Sequence, residues 1–328
     1  MTTRRELIIA GILSALVAPI TSSAQNQRRI PRLGILLYFP VATRKQPWDS
    51  FQDKLRDYGY VEGKTILIEA VSAEGHQDRL GPLAADLVKM NVDLIAVGGT
   101  EAVQAAARAT KTIPIVMTAV GDPVGAGLVS SLAHPGGNVT GMSLLATDLS
   151  AKRLALLKEM LPQLTRVAIL WNPDNASVAL KFEEMQRAAP GLGVQVQSVQ
   201  LRRPADIEAA ISMAASQHAE AIMDTGDPIQ NSHQGRIAEL ATQRRIPVAS
   251  EFSDSVDAGA LCSYGPAIID IYRRAAGYVD RILKGAKPGD LPIEQPAKLD
   301  LVINLRTAKN LAISIPQPLL IRATKIVE

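Results

Sequence analysis

The sequence predicts an α/β protein of two Rossmann-like lobes, each a parallel sheet covered by helices. Three observations carry this expectation. Short, nearly all-apolar runs alternate with helical patterns along the chain, as they do where strands are buried on both faces. The alternation occurs once before and once after the stretch Thr112 to Leu144. The chain has 328 residues, and the roughly 300 left after an N-terminal segment is removed suit two domains better than one.

In the first half, Arg32 to Phe39 reads as a strand and Trp48 to Tyr58 as a helix with Phe51 and Leu55 on one face. Thr65 to Val71 is a strand, Asp78 to Met90 a helix and Val92 to Val97 a strand. Gly98-Gly99-Thr100 then leads into an alanine-rich helix ending at Thr110, and Pro114 to Val120 is the fourth strand. Gly121-Asp122-Pro123 cannot continue it. A short helical pattern spans Val124 to Leu132, and His134-Pro135-Gly136-Gly137-Asn138 redirects the chain into an extended run from Val139 to Leu145. Such a strand, polar loop, break and new strand suit a crossing between two lobes.

In the second half, helices are expected at Ser150 to Leu161, Val178 to Ala189, Pro204 to Gln217 and Asn231 to Arg244. Strands are expected at Arg166 to Trp171, Val194 to Leu201, Ala219 to Met223 and Pro247 to Ser250. The tail adds a strand at Ala260 to Tyr264, a helix at Asp270 to Leu283 and a Lys/Pro/Gly linker at Gly285 to Pro292. A strand at Lys298 to Asn304, a short helix at Thr307 to Leu311 and a finishing segment from Pro316 close the chain.

The N-terminus has a basic start (Arg4, Arg5), an apolar run from Leu7 to Ile20 broken only by Ser14, and the small residues Thr21-Ser22-Ser23-Ala24. This is the three-part pattern of a secretory signal over residues 1–24. The apolar run is shorter than the about 20 residues a membrane span needs. Thr3-Arg4-Arg5-Glu6-Leu7-Ile8 also fits a twin-arginine signal, so Sec and Tat export both stay open. With no cysteine near the expected cleavage point, a lipid anchor is not expected, and a periplasmic location follows. The one cysteine, Cys262, allows no internal disulfide and is expected to pack as a small apolar side chain.

The formal charge is +3, or +2 without Arg4, Arg5 and Glu6, and the charges are mixed along the chain. Nucleic-acid binding needs a basic face, and the aromatic fraction of 4% argues against base stacking. His76, His134, His218 and His233 have no metal-ligand spacing. There is no G-x-S-x-G elbow. Gly59 to Lys64 is one residue short of a phosphate loop, and Gly125-Ala126-Gly127 has Ser130 where a dinucleotide fingerprint needs glycine. No catalytic residue, metal or cofactor is expected.

Several long blocks in fixed order carry a family resemblance. They are LRDYGYVEGKTILIEAVSAEGHQDRLGPLAADLV, GDPVGAGLV with PGGNVTGMSLL, SAKRLALLKEMLP, VAILWNP, and SYGPAIIDIYRRAAGYVDRILKGAKPGDLPIEQPAKLDLVINLRTAKNLAISIP. Together they resemble the ABC-transporter substrate-binding proteins that include tryptophan- and tyrosine-binding members. The resemblance spans about Arg29 to Glu328. It implies a type I periplasmic-binding-protein fold whose chain crosses between lobes three times. Lobe one would hold residues 30–142 plus 254–285, and lobe two 143–253 plus 286–328. It also implies a monomer that captures a small solute, with an amino acid or aromatic carboxylate as first guess, and meets an inner-membrane ABC permease transiently. An exported sensor domain and an exported Rossmann-like enzyme are the alternatives.

Independently of family, ligands of open parallel sheets bind beyond the carboxyl ends of the strands. That rule selects Tyr38, Gly99, Thr100 and Asp122 in lobe one, with Tyr264 on the same rim, and Asn172 and Asp227 in lobe two. The amides of Gly98-Gly99-Thr100 before a helix suit a carboxylate, although Glu101 opposes an anion there and Thr100 has a capping role open to it. Asp122 suits an ammonium or hydroxyl, or an Asx turn before Pro123. Tyr38 and Tyr264 offer flat apolar contact plus a hydroxyl. Trp171 completes an apolar strand and is expected in the core.

Overall fold

The structure, a computed structural model, describes residues 29–328. The signal segment 1–24 therefore lies outside the described residues. Strands β1 (Arg32–Leu37), β2 (Leu67–Ser72), β3 (Leu94–Gly98), β4 (Ile115–Val120) and β5 (Val139–Ser143) form one sheet in the order β2-β1-β3-β4-β5. All its pairings are parallel. Strands β6 (Arg166–Trp171), β7 (Gln195–Gln200), β8 (Ala221–Asp224), β9 (Val248–Ser250), β10 (Cys262–Pro266), β11 (Leu299–Asn304) and β12 (Lys325–Val327) form the second, ordered β12-β11-β10-β9-β8-β6-β7. One pair there, β10–β11, is antiparallel.

The apolar strands are explained by helices on both faces of each sheet. In the first, Leu33, Ile35 and Leu37 of β1 pack with helix α1 (Lys45–Asp57) through Trp48, Phe51 and Leu55. Leu36 points the other way, onto α2 (Leu80–Lys89) and α3 (Thr100–Ala109), as the two-residue strand period requires. In the second, α4 (Ser150–Met160) and α5 (Ala176–Ala188) cover one face, together with residues of α11 (Leu305–Asn310) and α12 (Gln317–Arg322). Helices α6 (Ile207–Ser216), α7 (Pro228–Ser232) and α8 (Gln234–Gln243) cover the other. Cys262 is buried among these apolar groups, and burial pushes its thiol up to about 12.

The chain passes between the sheets three times: after β5, after β10 and before β11. The lobe boundaries read from sequence need correction at the tail. Segment 254–285 was expected whole in lobe one. Instead β10 finds its hydrogen-bond partners in β9 and β11 of the second sheet, and α9 (Asp254–Asp257) is held there by Asn304 Nδ2 donating to Val256 O at 3.0 Å. Only α10 (Ile268–Leu283) joins the first lobe, where Ile271, Tyr272, Ala275 and Val279 pack with α1. The segment after it stays with that lobe until β11: Ile293 is buried in its core, and its amide donates to Leu132 O at 2.7 Å.

The first and last crossings run side by side, with Ser143 N on Glu294 O at 2.9 Å and Glu294 N on Gly141 O at 3.0 Å. Gly141 has φ +129, and a Cβ there would lie 2.3 Å from Met117 O. Only glycine lets the strand pass so close.

Two helices differ from expectation. Val124 to Leu132 forms turns instead, with Gly127 N bonded to Val124 O and Gly127 at φ +68. The helix expected over 231–244 begins earlier and breaks at His233 into α7 and α8.

Candidate ligand-binding cleft

The carboxyl ends of β1, β3, β4, β6, β8 and β9 converge on one cavity between the lobes. The first lobe contributes Tyr38, Phe39, Gly98, Gly99, Thr100 and Leu144, with Trp48 from α1 and Ile268 and Tyr272 from α10. The second contributes Asn175, Ser177 and Lys181 around α5, Gly226, Pro228 and Asn231 around α7, and Phe252. The space open to water centres is about 100 Å³. One water needs about 10–15 Å³ on that measure, so the cavity suits one small solute. Of the chain's two Trp, six Tyr and four Phe, five line this space. Trp48 and Tyr272 meet edge to face at 5.1 Å.

The lobes touch around the cavity. Ser177, in the first turn of α5, receives the Thr100 hydroxyl at 3.0 Å and the Asp122 backbone amide at 3.1 Å. Phe39 meets His233 edge to face at 5.7 Å between centroids.

Lys181 lines the cavity, and the other buried charges lie behind its wall. Lys181 Nζ sits 2.7 Å from Glu251 Oε2 and donates to Thr225 O at 2.6 Å. Arg153 lies 3.2 Å from the other Glu251 oxygen and donates to Ala146 O and Tyr264 O, backbone near two of the crossings. Burial pushes Asp224 up to about 6. Glu101 of α3 and Asp227 at the start of α7 are both buried and both raised, first by desolvation, with Asp227's charge adding to the effect on Glu101.

Residues 40–327 match the family model described as ABC transporter substrate binding protein. The chain belongs to this family. A tyrosine-binding protein of Clostridioides difficile (strain R20291) is 29% identical over 319 residues, covering 93% of this chain and 91% of that one. The structure of an ABC domain from Streptococcus pneumonia in complex with L-Trp superposes with a TM-score of 0.84 at 26% identity, covering 91% of this chain and all of the other. The ligand-free, open structure of a substrate binding protein with adhesive properties from Clostridium difficile, also 26% identical, gives 0.64 over 91% and 99%. Identity and coverage of this chain are equal in the two, yet the tryptophan complex fits better, so the lobes here stand closer to its arrangement. The fold is that of the type I periplasmic binding proteins.

Within this substrate-binding protein, three of the seven residues selected from sequence line the cavity: Tyr38, Gly99 and Thr100. Gly99 is the N-cap of α3, so Thr100 is its first helical residue and turns its hydroxyl to Ser177 instead of capping. Asp122 lies at the lobe contact without lining the cavity; its carboxylate accepts from Gly125 N at 2.8 Å, the turn role weighed for it. Asn172 is buried and accepts from Asp174 N at 3.1 Å. Asp227 caps α7, accepting from Ile229 N at 2.9 Å and from Asn175 Nδ2 at 3.1 Å.

Tyr264 is not on lobe one's rim. Its strand pairs within the second sheet, and its ring packs on that lobe's core beneath Lys152. Trp171 is half-buried, stacked on Phe182 at 4.2 Å. Sequence reasoning missed Trp48, Tyr272, Ser177 and Lys181 because each lies on a helix, where the strand-end rule does not look.

Proposed function

We propose that the protein captures an aromatic amino acid, or a closely related aromatic amine or acid, in the periplasm and delivers it to an ABC permease. One observation carries the choice of solute: a chain poor in aromatic residues gathers five of them, from both lobes, around one small cavity. Trp48, Tyr272, Phe39 and Phe252 supply flat apolar walls, and Tyr38 adds a hydroxyl. Thr100, Asn175, Ser177 and Asn231 supply hydrogen-bonding groups. Gly99 lets the solute approach the start of α3. Asn172 and Asp227 brace the polar side from behind. The relatives' named ligands, tyrosine and tryptophan, agree with such a wall.

A solute that touches both lobes binds the closed form better than the open one and so shifts the population toward closure. The hinge is the set of three crossings. Capture and release make or break no bond in the solute, and the mature chain acts as a monomer after its signal segment is cleaved. The test is mass spectrometry of the solute that co-purifies with the protein, followed by thermal shift with a panel of amino acids and aromatic acids. An aromatic amino acid that raises Tm supports the assignment. A panel in which none does, or a sugar found in the cleft, overturns it.

A further inference from the structure

Four buried carboxylates, Glu101, Asp224, Asp227 and Glu251, lie around the cleft, facing two buried cations, Lys181 and Arg153. Both cations are committed to Glu251, at 2.7 and 3.2 Å. Asp224 accepts from Gly226 N at 3.0 Å. Glu101 and Asp227 come from opposite lobes, are 4% and 1% exposed, and share the Asn175 amide, which donates to Asp227 at 3.1 Å and also reaches Glu101. Glu101 Oε2 is buried with no hydrogen-bond partner. Burying two opposed anions with one oxygen unpartnered is costly. A single positive charge between them removes most of that cost.

We propose that Glu101 and Asp227 form a one-cation niche that exists only when the lobes close, filled by the ammonium of an amino solute in the loaded protein and by a proton in the empty one. The ammonium half rests on the aromatic amino-acid assignment above; the proton half does not. The niche lies just behind the cavity wall: Thr100, Gly226 and Pro228, chain neighbours of the two carboxylates, all line the cavity.

The other charged groups around the niche set the direction of its pH response. Lys181 of α5 lowers both carboxylates. Burial first, and then the charges of Glu101, Asp227, Asp174 and Asp78, hold the hydroxyl of Tyr38 at the end of β1 protonated. In the closed form Glu101 titrates above its ordinary range, first because it is buried and then because it faces the Asp227 charge. An open cleft returns it toward the ordinary value. The closed form thus binds the proton more tightly, so empty closure is unpenalised below the ordinary carboxylate range and loses support as pH rises through the raised value of the closed form.

The experiment measures the closed fraction of solute-stripped protein by small-angle scattering between about pH 5 and about pH 8, where one linked proton changes the closed-to-open ratio by at most about tenfold per pH unit. Expected is a closed fraction that falls as pH rises. Glu101→Gln, which keeps the shape and removes the charge, stays closed across the range, and Asp227→Asn does the same in part. A wild-type closed fraction that does not change with pH, or a Glu101→Gln protein with the wild-type slope, overturns the proton half. For the ammonium half, calorimetry with L-tryptophan and L-tyrosine in buffers of different ionisation enthalpy reads proton release. Release at a pH where scattering finds the stripped protein closed, lost in Glu101→Gln with affinity lowered about tenfold, supports it. At that pH, binding without proton release, or unchanged affinity in Glu101→Gln, overturns it. Failure of both amino acids to bind overturns the solute assignment and with it the ammonium half, while the scattering series still decides the proton half.

Discussion

The Thr100 hydroxyl donates to Ser177 Oγ at 3.0 Å across the cleft, joining residues 77 positions apart in sequence on opposite lobes. The same Ser177 oxygen receives the Asp122 amide at 3.1 Å. One serine therefore meets two strand ends of the first lobe, and both contacts exist only when the lobes are together.

Ser177→Ala removes these contacts and nothing inside either lobe's core. A net hydrogen bond is worth about 0.5–1.5 kcal/mol, so solute affinity should fall about three- to tenfold. Unfolding of the empty protein should be unchanged. Calorimetric titration beside urea unfolding checks both halves.

Phe39 is half-buried, lines the cavity and touches His233 of the other lobe. Phe39→Ala should weaken solute binding by about 1–2 kcal/mol, the worth of one partly buried aromatic. Tm of the empty protein should move little. A large loss of Tm with unchanged affinity would place Phe39 in the core instead.

Glu251 holds two buried cations, Arg153 and Lys181. Glu251→Ala strands both and should cost about 3–5 kcal/mol of stability, the penalty for leaving buried charge unpaired. Lys181→Met leaves Glu251 with Arg153 and should cost less. Urea midpoints of the two variants give the order; equal losses would argue against the shared role of Glu251.

Asp224 titrates at about 6 in the folded protein, above its ordinary 3.8, chiefly because it is buried. The folded state therefore holds the proton more tightly than the unfolded one, and this group's support for folding falls as pH rises from 3.8 through about 6. Asp224→Asn removes that dependence. Its Tm relative to wild type should rise between about pH 4 and about pH 7; a constant difference would contradict the assignment.

Much of the fold was legible because strand burial leaves a strong trace. Runs such as RVAILW and RLGILL admit few other readings, and the punctuation at Gly98-Gly99 and Gly121-Asp122 marks their carboxyl ends correctly. The tail was harder. Whether Cys262–Pro266 joins one sheet or the other is decided by hydrogen bonds to β9 and β11, and no local pattern encodes which partner is free. Tyr264 was misplaced for that reason alone. Within the cleft, strand-end residues were accessible to reasoning, while Trp48 and Tyr272 were not. Both look like core residues of an amphipathic helix, and they are also that; only the packing of α10 on α1 turns their edges toward the cavity. Asp227 drew attention as a polar strand-end residue, and its first duty is to cap α7.

The two lobes close over one solute that both of them touch. Small-angle scattering of the stripped protein, before and after adding the solute identified by mass spectrometry, tests it most directly. The radius of gyration should decrease on saturation and in Ser177→Ala should require more solute to do so. A radius unchanged at saturating solute, with binding confirmed in the same sample by calorimetry, would contradict closure as the response to capture.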